Sequence, residues 1–246
     1  MFSNEFSGEL KQIAPKRLVK DGVEDDITDF FLVLAIIYND FKGLIFFKTL
    51  LQDKFRNPSN GETSYHSGEY MGFQIQLHKL IYATIHEFFE FLKKKEDVLN
   101  THEFNIITGN LSSYTRIRWT DIIDFALSKN TPDSDFKKRL ARVRSNVASH
   151  YYESDKNLRN GFVDFFFKRE ENVGNGWAWY AIGNTMEKTR FFYADAAEDA
   201  FLNSVSKTEE MPTAVDFSKG LIEIINAMNE TIALLLKEYL RKRPHV

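Results

Sequence analysis

Residues 67–95 read SGEYMGFQIQLHKLIYATIHEFFEFLKKK. Tyr70, Phe73, Leu77, Ile81, Thr84, Phe88 and Leu92 follow one another in steps of three and four, which places them on one side of an α-helix. Lys93, Lys94 and Lys95 close the run, where the negative end of the helix dipole favours cations. Upstream, the polar stretch from Arg56 to His66, with Pro58 and Gly61, predicts a loop. Before that loop, Asp26 predicts a helix N-cap, with Asp29 as an acid in the first turn. The segment from there to about Phe55 is so dense in Phe, Leu and Ile that it predicts a central helix touched on several sides. Gly43 marks a place for a close helix contact. The most apolar stretch, Phe30 to Tyr38, is followed by Asn39, Asp40 and Lys42 and is far short of the ~20 residues of a bilayer span. It reads as a core helix, and no membrane partner is expected.

Downstream, a shorter helix is expected over about Tyr114 to Leu127. Thr131-Pro132 is a helix start, with Thr as cap and Pro at the first helical position, and Asp133 and Asp135 add acids to that first turn. This helix is expected to run to about Tyr152, and another piece from Lys156 to Lys168. Glu171 to Gly176 breaks the pattern. Trp177 to Ile182 and Thr189 to Tyr193 are aromatic and β-prone, separated by Gly183-Asn184-Thr185, and predict a small extended or hairpin excursion. Helix resumes over Ala194 to Val205. After Pro212, the residues Leu221, Ile225, Met228, Ile232, Leu235 and Tyr239 alternate steps of four and three in a heptad-like seam, which favours packing inside the chain over a dimer seam. These segments predict an all-α protein, with residues 1–246 as one domain, an irregular lead-in over 1–24 and an aromatic excursion over 171–193.

Composition narrows the function classes. The chain has 246 residues, 43% apolar and 27% charged, with net charge −3; an apolar share this high excludes a disordered chain. Gly (12) and Pro (5) are too scarce for a loop-heavy β-sandwich. The absence of Cys excludes disulfides, thiolate zinc sites, Fe–S ligation and cysteine nucleophiles. It accords with a reducing compartment, and the cytoplasm is the expected location. Glu5 and Glu9, with no apolar core around them, predict no signal peptide. His86-Glu87 begins a zincin pattern, but position 90 is Glu, and His78 and His86 are eight residues apart, so both read as edge or surface histidines and no metal is expected. No Gly-rich phosphate loop and no G-x-S-x-G is present, and no cofactor is expected.

The segment from Lys137 to Tyr152, KKRLARVRSNVASHYY, carries the chemistry. Five of the eight residues from 137 to 144 are basic in a chain that is acidic overall, and Arg116 and Arg118 add to the excess if they lie nearby. Phe136, Leu140, Val143, Val147 and Tyr151 form an apolar stripe. Arg144 and His150 border it on opposite sides, about 120° apart on an ideal helix. Arg142, Asn146 and His150 step by four along one edge, so Asn146 can support His150.

Arg144-Ser-Asn-Val-Ala-Ser-His150, backed by Tyr151 and Tyr152, resembles the R-x(4–6)-H signature of HEPN domains, and the run from Glu153 to Gly161 is similar to uncharacterised HEPN-like bacterial proteins. The resemblance implies an antiparallel helical bundle that dimerises, with motif helices facing each other across a shared cleft. Many members are metal-independent ribonucleases of toxin–antitoxin, abortive-infection and CRISPR-linked defence, which implies RNA as substrate and an antitoxin or defence-system partner. Catalytic roles then fall to Arg144, Asn146 and His150, and RNA binding to Arg139, Arg142, Tyr151 and Tyr152. The chemistry suits the residue types. Cleavage by the RNA's own 2′-hydroxyl needs no metal; it needs a proton carrier near neutral pH, which His supplies, and a cation for the charge on phosphorus, which Arg supplies. The tyrosines offer stacking for single-stranded bases, and the basic run a salt-sensitive attraction. The angular offset is a separate reason for a homodimer, since Arg144 of one chain can approach His150 of the other. A second reading stands beside the first: active members often carry Asn, Asp or His directly after the arginine, whereas position 145 is Ser, and inactive HEPN-like modules bind RNA, a nucleotide or a protein partner.

Overall fold

The computed structural model describes residues 12–19, 24–54, 64–127, 155–169, 177–206 and 214–242. In chain order the helices are α1 (Pro15–Leu18), α2 (Asp26–Lys54), α3 (Tyr65–Lys94), α4 (Glu96–Leu99), α5 (His102–Gly109), α6 (Ser113–Leu127), α7 (Asp155–Val163), α8 (Phe192–Ser206) and α9 (Ala214–Lys242). A π-helical turn (Asp164–Lys168) extends α7, and a 3-10 turn (Met186–Lys188) precedes α8. There is no strand among the described residues, and the fold is an all-α antiparallel bundle.

Three long helices, α2, α3 and α9, build the core. Their antiparallel pairing shows in the contacts: Phe30 on α2 stacks on Phe91 near the end of α3 at 5.1 Å, and Lys95 reaches Asp26 at 3.4 Å. The heptad-like seam of α9 is spent on this core; Leu221, Ile225, Met228, Ile232, Leu235 and Tyr239 are all buried. Phe31 stacks on Tyr239 with ring centres 4.1 Å apart and planes 9° from parallel, and Phe104 of α5 packs against both Phe30 and Phe31. Tyr239 donates its hydroxyl to Thr28 Oγ1 at 3.2 Å, and Thr28 Oγ1 donates to Asp25 Oδ2 at 2.6 Å. The end of α9 is thereby tied to the cap of α2.

That cap lies one residue earlier than the sequence pattern suggests. Asp25, not Asp26, accepts the backbone N–H groups of Ile27 and Thr28, because those two donors open the helix and only the Asp25 carboxylate sits beyond their ends. On α3 the cap is Ser64, exchanging hydrogen bonds with Ser67 in a capping box. Leu77, Ile81, Phe88 and Leu92 are buried as the periodicity requires, whereas Phe73 is exposed, with the Arg190 guanidinium 5.5 Å above its ring. The region after Lys95, which no periodicity marked, holds α4 and α5, short helices opened by a Lys95 turn and by the Thr101 hydroxyl. The expected continuous helix from Lys156 to Lys168 is α7 followed by the π-turn. The central helix is also less enclosed than expected: one side of α2 is core, the other faces outward.

The aromatic excursion is extended, as its composition suggests. Ala181 and Arg190 exchange backbone hydrogen bonds of 2.7 and 2.9 Å in one antiparallel bridge, and the Gly183 N–H donates to Thr189 Oγ1. Behind it α7 lies so close to α8 that a Cβ at position 161 would meet the carbonyl oxygen of Ala197; Gly161 is what permits the approach.

Phe31→Ala is expected to lower the unfolding free energy by about 3–5 kcal/mol through loss of a fully buried ring, and Tyr239→Phe by about 1 kcal/mol through loss of one buried hydrogen bond. Urea titration followed by helical circular dichroism checks both.

Candidate functional site

The sequence-predicted site residues Arg139, Arg142, Arg144, Asn146, His150, Tyr151 and Tyr152, and the basic Lys137 and Lys138, lie outside the described residues. What the structure does place is the bundle on either side of that segment: α6, which leads into it, and α7, which follows it.

On α6, Arg116 is exposed and Arg118 is half-buried. Arg118 reaches Glu230 of α9 at 2.8 Å and lies 4.5 Å over the ring of Tyr114. Beside it a groove of about 460 Å³ opens between α3, α6 and α9. Its walls are Phe89, Ile122, Phe125, Ile224 and Met228, with Arg118, Asp121 and Thr231 as its polar margin. The size is that of a small-molecule or side-chain pocket. Sequence periodicity alone does not reveal it, because it depends on three helices diverging at one place.

A second constellation joins α3 to α8 and the excursion. Arg190 donates to Glu69 at 3.0 Å and to Asp195 at 2.8 Å, with all three largely buried. Gly72 lies directly under the guanidinium; a Cβ there would collide with it. About two helical turns further along α3 from Gly72, buried Lys79 meets Glu198 at 2.8 Å. Burial pushes the Glu198 carboxyl above its ordinary range, with the Lys79 ammonium pulling it back. Asp199 is likewise raised by burial, opposed by Arg169 and by the hydrogen bond donated by Asn203. These charges face one another across a packed interface, which makes them a clamp that fixes the excursion and α8 on α3. Tyr65 adds to the clamp by donating to the Glu187 carbonyl at 2.5 Å.

The clamp holds out a row of large side chains. Trp177 is 76% exposed and Met186 85%, and Trp179, Tyr180, Ile182 and Phe191 are exposed with them. Large apolar side chains exposed together on one short segment mark an interaction surface more often than scattered ones do.

His78, an edge histidine in the sequence pattern, is mostly buried. Loss of hydration, reinforced by the charge of Lys48 on α2, depresses its imidazole to about 4. No group of three or more His, Asp or Glu side chains able to hold a metal occurs among the described residues.

No family model, no curated protein and no solved structure matches the chain.

The position of His78 gives a pH signature. Its folded value of about 4 lies below the 6.5 of an unconstrained imidazole, so the unfolded chain binds the extra proton first. The native state is therefore expected to lose up to about 3 kcal/mol from this group as pH falls from 6.5 to 4. His78→Gln should flatten the stability profile in that window relative to wild type, measured by denaturant titration at a series of pH values.

Proposed function

We propose that the chain is a HEPN-like, metal-independent endoribonuclease acting on single-stranded RNA. The observation that carries the reading is the sequence Arg144-Ser-Asn-Val-Ala-Ser-His150 at the end of a strongly basic run. The all-α bundle is the fold class which that resemblance implies, and this supports the reading at the level of architecture. In the proposed reaction the 2′-hydroxyl attacks phosphorus and the P–O5′ bond breaks, leaving a 2′,3′-cyclic phosphate and a free 5′-hydroxyl; His150 moves the proton, and Arg144 holds the phosphate oxygens as their charge grows. Asn146 orients the imidazole, and Arg139, Arg142, Tyr151 and Tyr152 hold the strand. Two protomers complete the cleft.

A second reading, a non-catalytic helical module for RNA, a nucleotide or a protein partner, draws on a different observation. The exposed Trp177, Trp179 and Tyr180 offer ring faces for stacking or docking that need no catalytic residue.

The test is cleavage of unstructured RNA with EDTA present. Wild type is expected to cut, and His150→Ala to lose on the order of 10²–10⁴ in rate while keeping its helical spectrum. Arg144→Ala should also slow cleavage, whereas Lys137→Ala should weaken binding and soften its salt dependence. Cleavage that persists in His150→Ala, or that requires Mg²⁺, would overturn the catalytic reading; RNA binding without cleavage would favour the second.

A further inference from the structure

The outward side of α2 carries large apolar side chains that stay exposed in the folded chain. Ile36 is 59% exposed and Phe47 60%, and Leu32, Val33 and Leu50 are open beside them. At about 100° per residue these five side chains, with Gly43 between them, occupy an arc of roughly 100° opposite the buried Phe30, Leu34 and Phe41. The arc spans about 27 Å along the helix from Leu32 to Leu50, at ~1.5 Å per residue.

Gly43 is informative. Glycine is disfavoured in helix interiors, and in α3 a reason for it is visible: Gly68 lies against the ring of Phe192 and Gly72 under Arg190. An added Cβ at Gly43 would meet nothing within 4 Å. No described residue calls for a glycine there, whereas the close approach of a second helix would.

The charges on the same arc specify which helix. Asp29 sits near its start and Lys54 at its end, both exposed and without an ion-pair partner among the described residues. An antiparallel copy of α2 brings them together. Setting Asp29 opposite the partner's Lys54 places Val33 opposite the partner's Leu50, Ile36 opposite the partner's Phe47, and Asp40 over the space above the partner's Gly43. Apolar meets apolar at the Val33–Leu50 and Ile36–Phe47 pairs, the exposed Asp40 of each copy sits beside the seam's centre, and the two-fold axis passes between Phe41 and Lys42.

We propose that α2 is a self-association helix, through which two copies of the chain pair antiparallel. The reading does not rest on RNA cleavage. The five side chains leave on the order of 400–500 Å² of apolar surface per protomer, taking ~200 Å² for a whole large side chain. That is about half of the ~800 Å² per partner in a standard interface, so the polar flanks complete the contact and the dimer is concentration-dependent rather than obligate. A bilayer is the other environment such a helix could enter, since α2 is long enough and its most apolar 18-residue window has a mean hydropathy of 1.8. Insertion, however, would strip Phe30, Phe31 and Phe41 from the core and put Asp40 near mid-bilayer, where a carboxylate is costly. A second copy leaves that core intact.

Sedimentation velocity of the full chain over about 1–100 μM, without RNA, tests the proposal. Wild type should shift from monomer to dimer across that range. Ile36→Glu and Gly43→Leu should each remain monomeric at the top of it with unchanged circular dichroism. Asp29→Lys and Lys54→Asp should each weaken association at least about threefold, and the double swap should restore it. A wild type that stays monomeric throughout, a dimer indifferent to Ile36→Glu, or single swaps not rescued by the double would overturn the antiparallel seam. Co-flotation of wild type with phosphatidylcholine vesicles, lost in Ile36→Glu, together with a monomer in solution would assign the face to lipid instead.

Discussion

The stack of Phe31 on Tyr239 is the contact around which the bundle is organised. It joins the start of α2 to the end of α9, two segments at opposite ends of the described chain, and it is sealed by Phe30 and Phe104 on its flanks. The same two residues anchor a polar chain: the Tyr239 hydroxyl reaches Thr28, and Thr28 reaches the Asp25 carboxylate that caps α2. A buried tyrosine needs a partner for its hydroxyl. Here the partner is a helix cap, so the packing of the core and the start of its first long helix are fixed by one set of atoms.

A second layer is attached to α3 by charge rather than by rings. Arg190 bridges Glu69 and Asp195, and Lys79 holds Glu198. Buried pairs of this kind add little net stability over apolar residues of the same volume, but they penalise every arrangement that leaves one member alone. Their effect is therefore on position. They hold the extended excursion in one place on the bundle, with Gly72 giving up its side chain to make room for the guanidinium. The exposed Trp177, Trp179 and Tyr180 are carried on that fixed platform, while the apolar groove beside Arg118 opens among α3, α6 and α9.

The two sides of α2 answer to different constraints. The inner side is set by the aromatic core. The outer side, with Ile36, Gly43 and Phe47, has no counterpart among the described residues, and its charges are arranged end to end in the order that an antiparallel copy would neutralise. An apolar helix at the centre of a bundle and an apolar helix with one face outward have the same composition, which is why the sequence pattern of α2 reads as a helix enclosed on several sides.

By itself the sequence determined the long helices and much of what they bury. The steps of three and four over α3, and of four and three over α9, predict Leu77, Ile81, Phe88, Leu92 and the whole Leu221–Tyr239 seam as buried, because periodicity is a property of the local chain. It also determined the resemblance on Arg144 and His150, which lies outside the described residues and whose chemistry rests on the sequence alone. Tertiary structure decided the rest. Arg190 meets Glu69 across 121 positions, a pairing with no local signal. His78 looks like any edge histidine until α2 brings Lys48 beside it and removes its water. The short helices α4 and α5 carry too few turns for a period to show, and are fixed by Val98, Phe104 and Ile107 entering a core made by residues far away. Which apolar face of α2 is inside depended on where Tyr239 arrives, and only the folded chain could decide that.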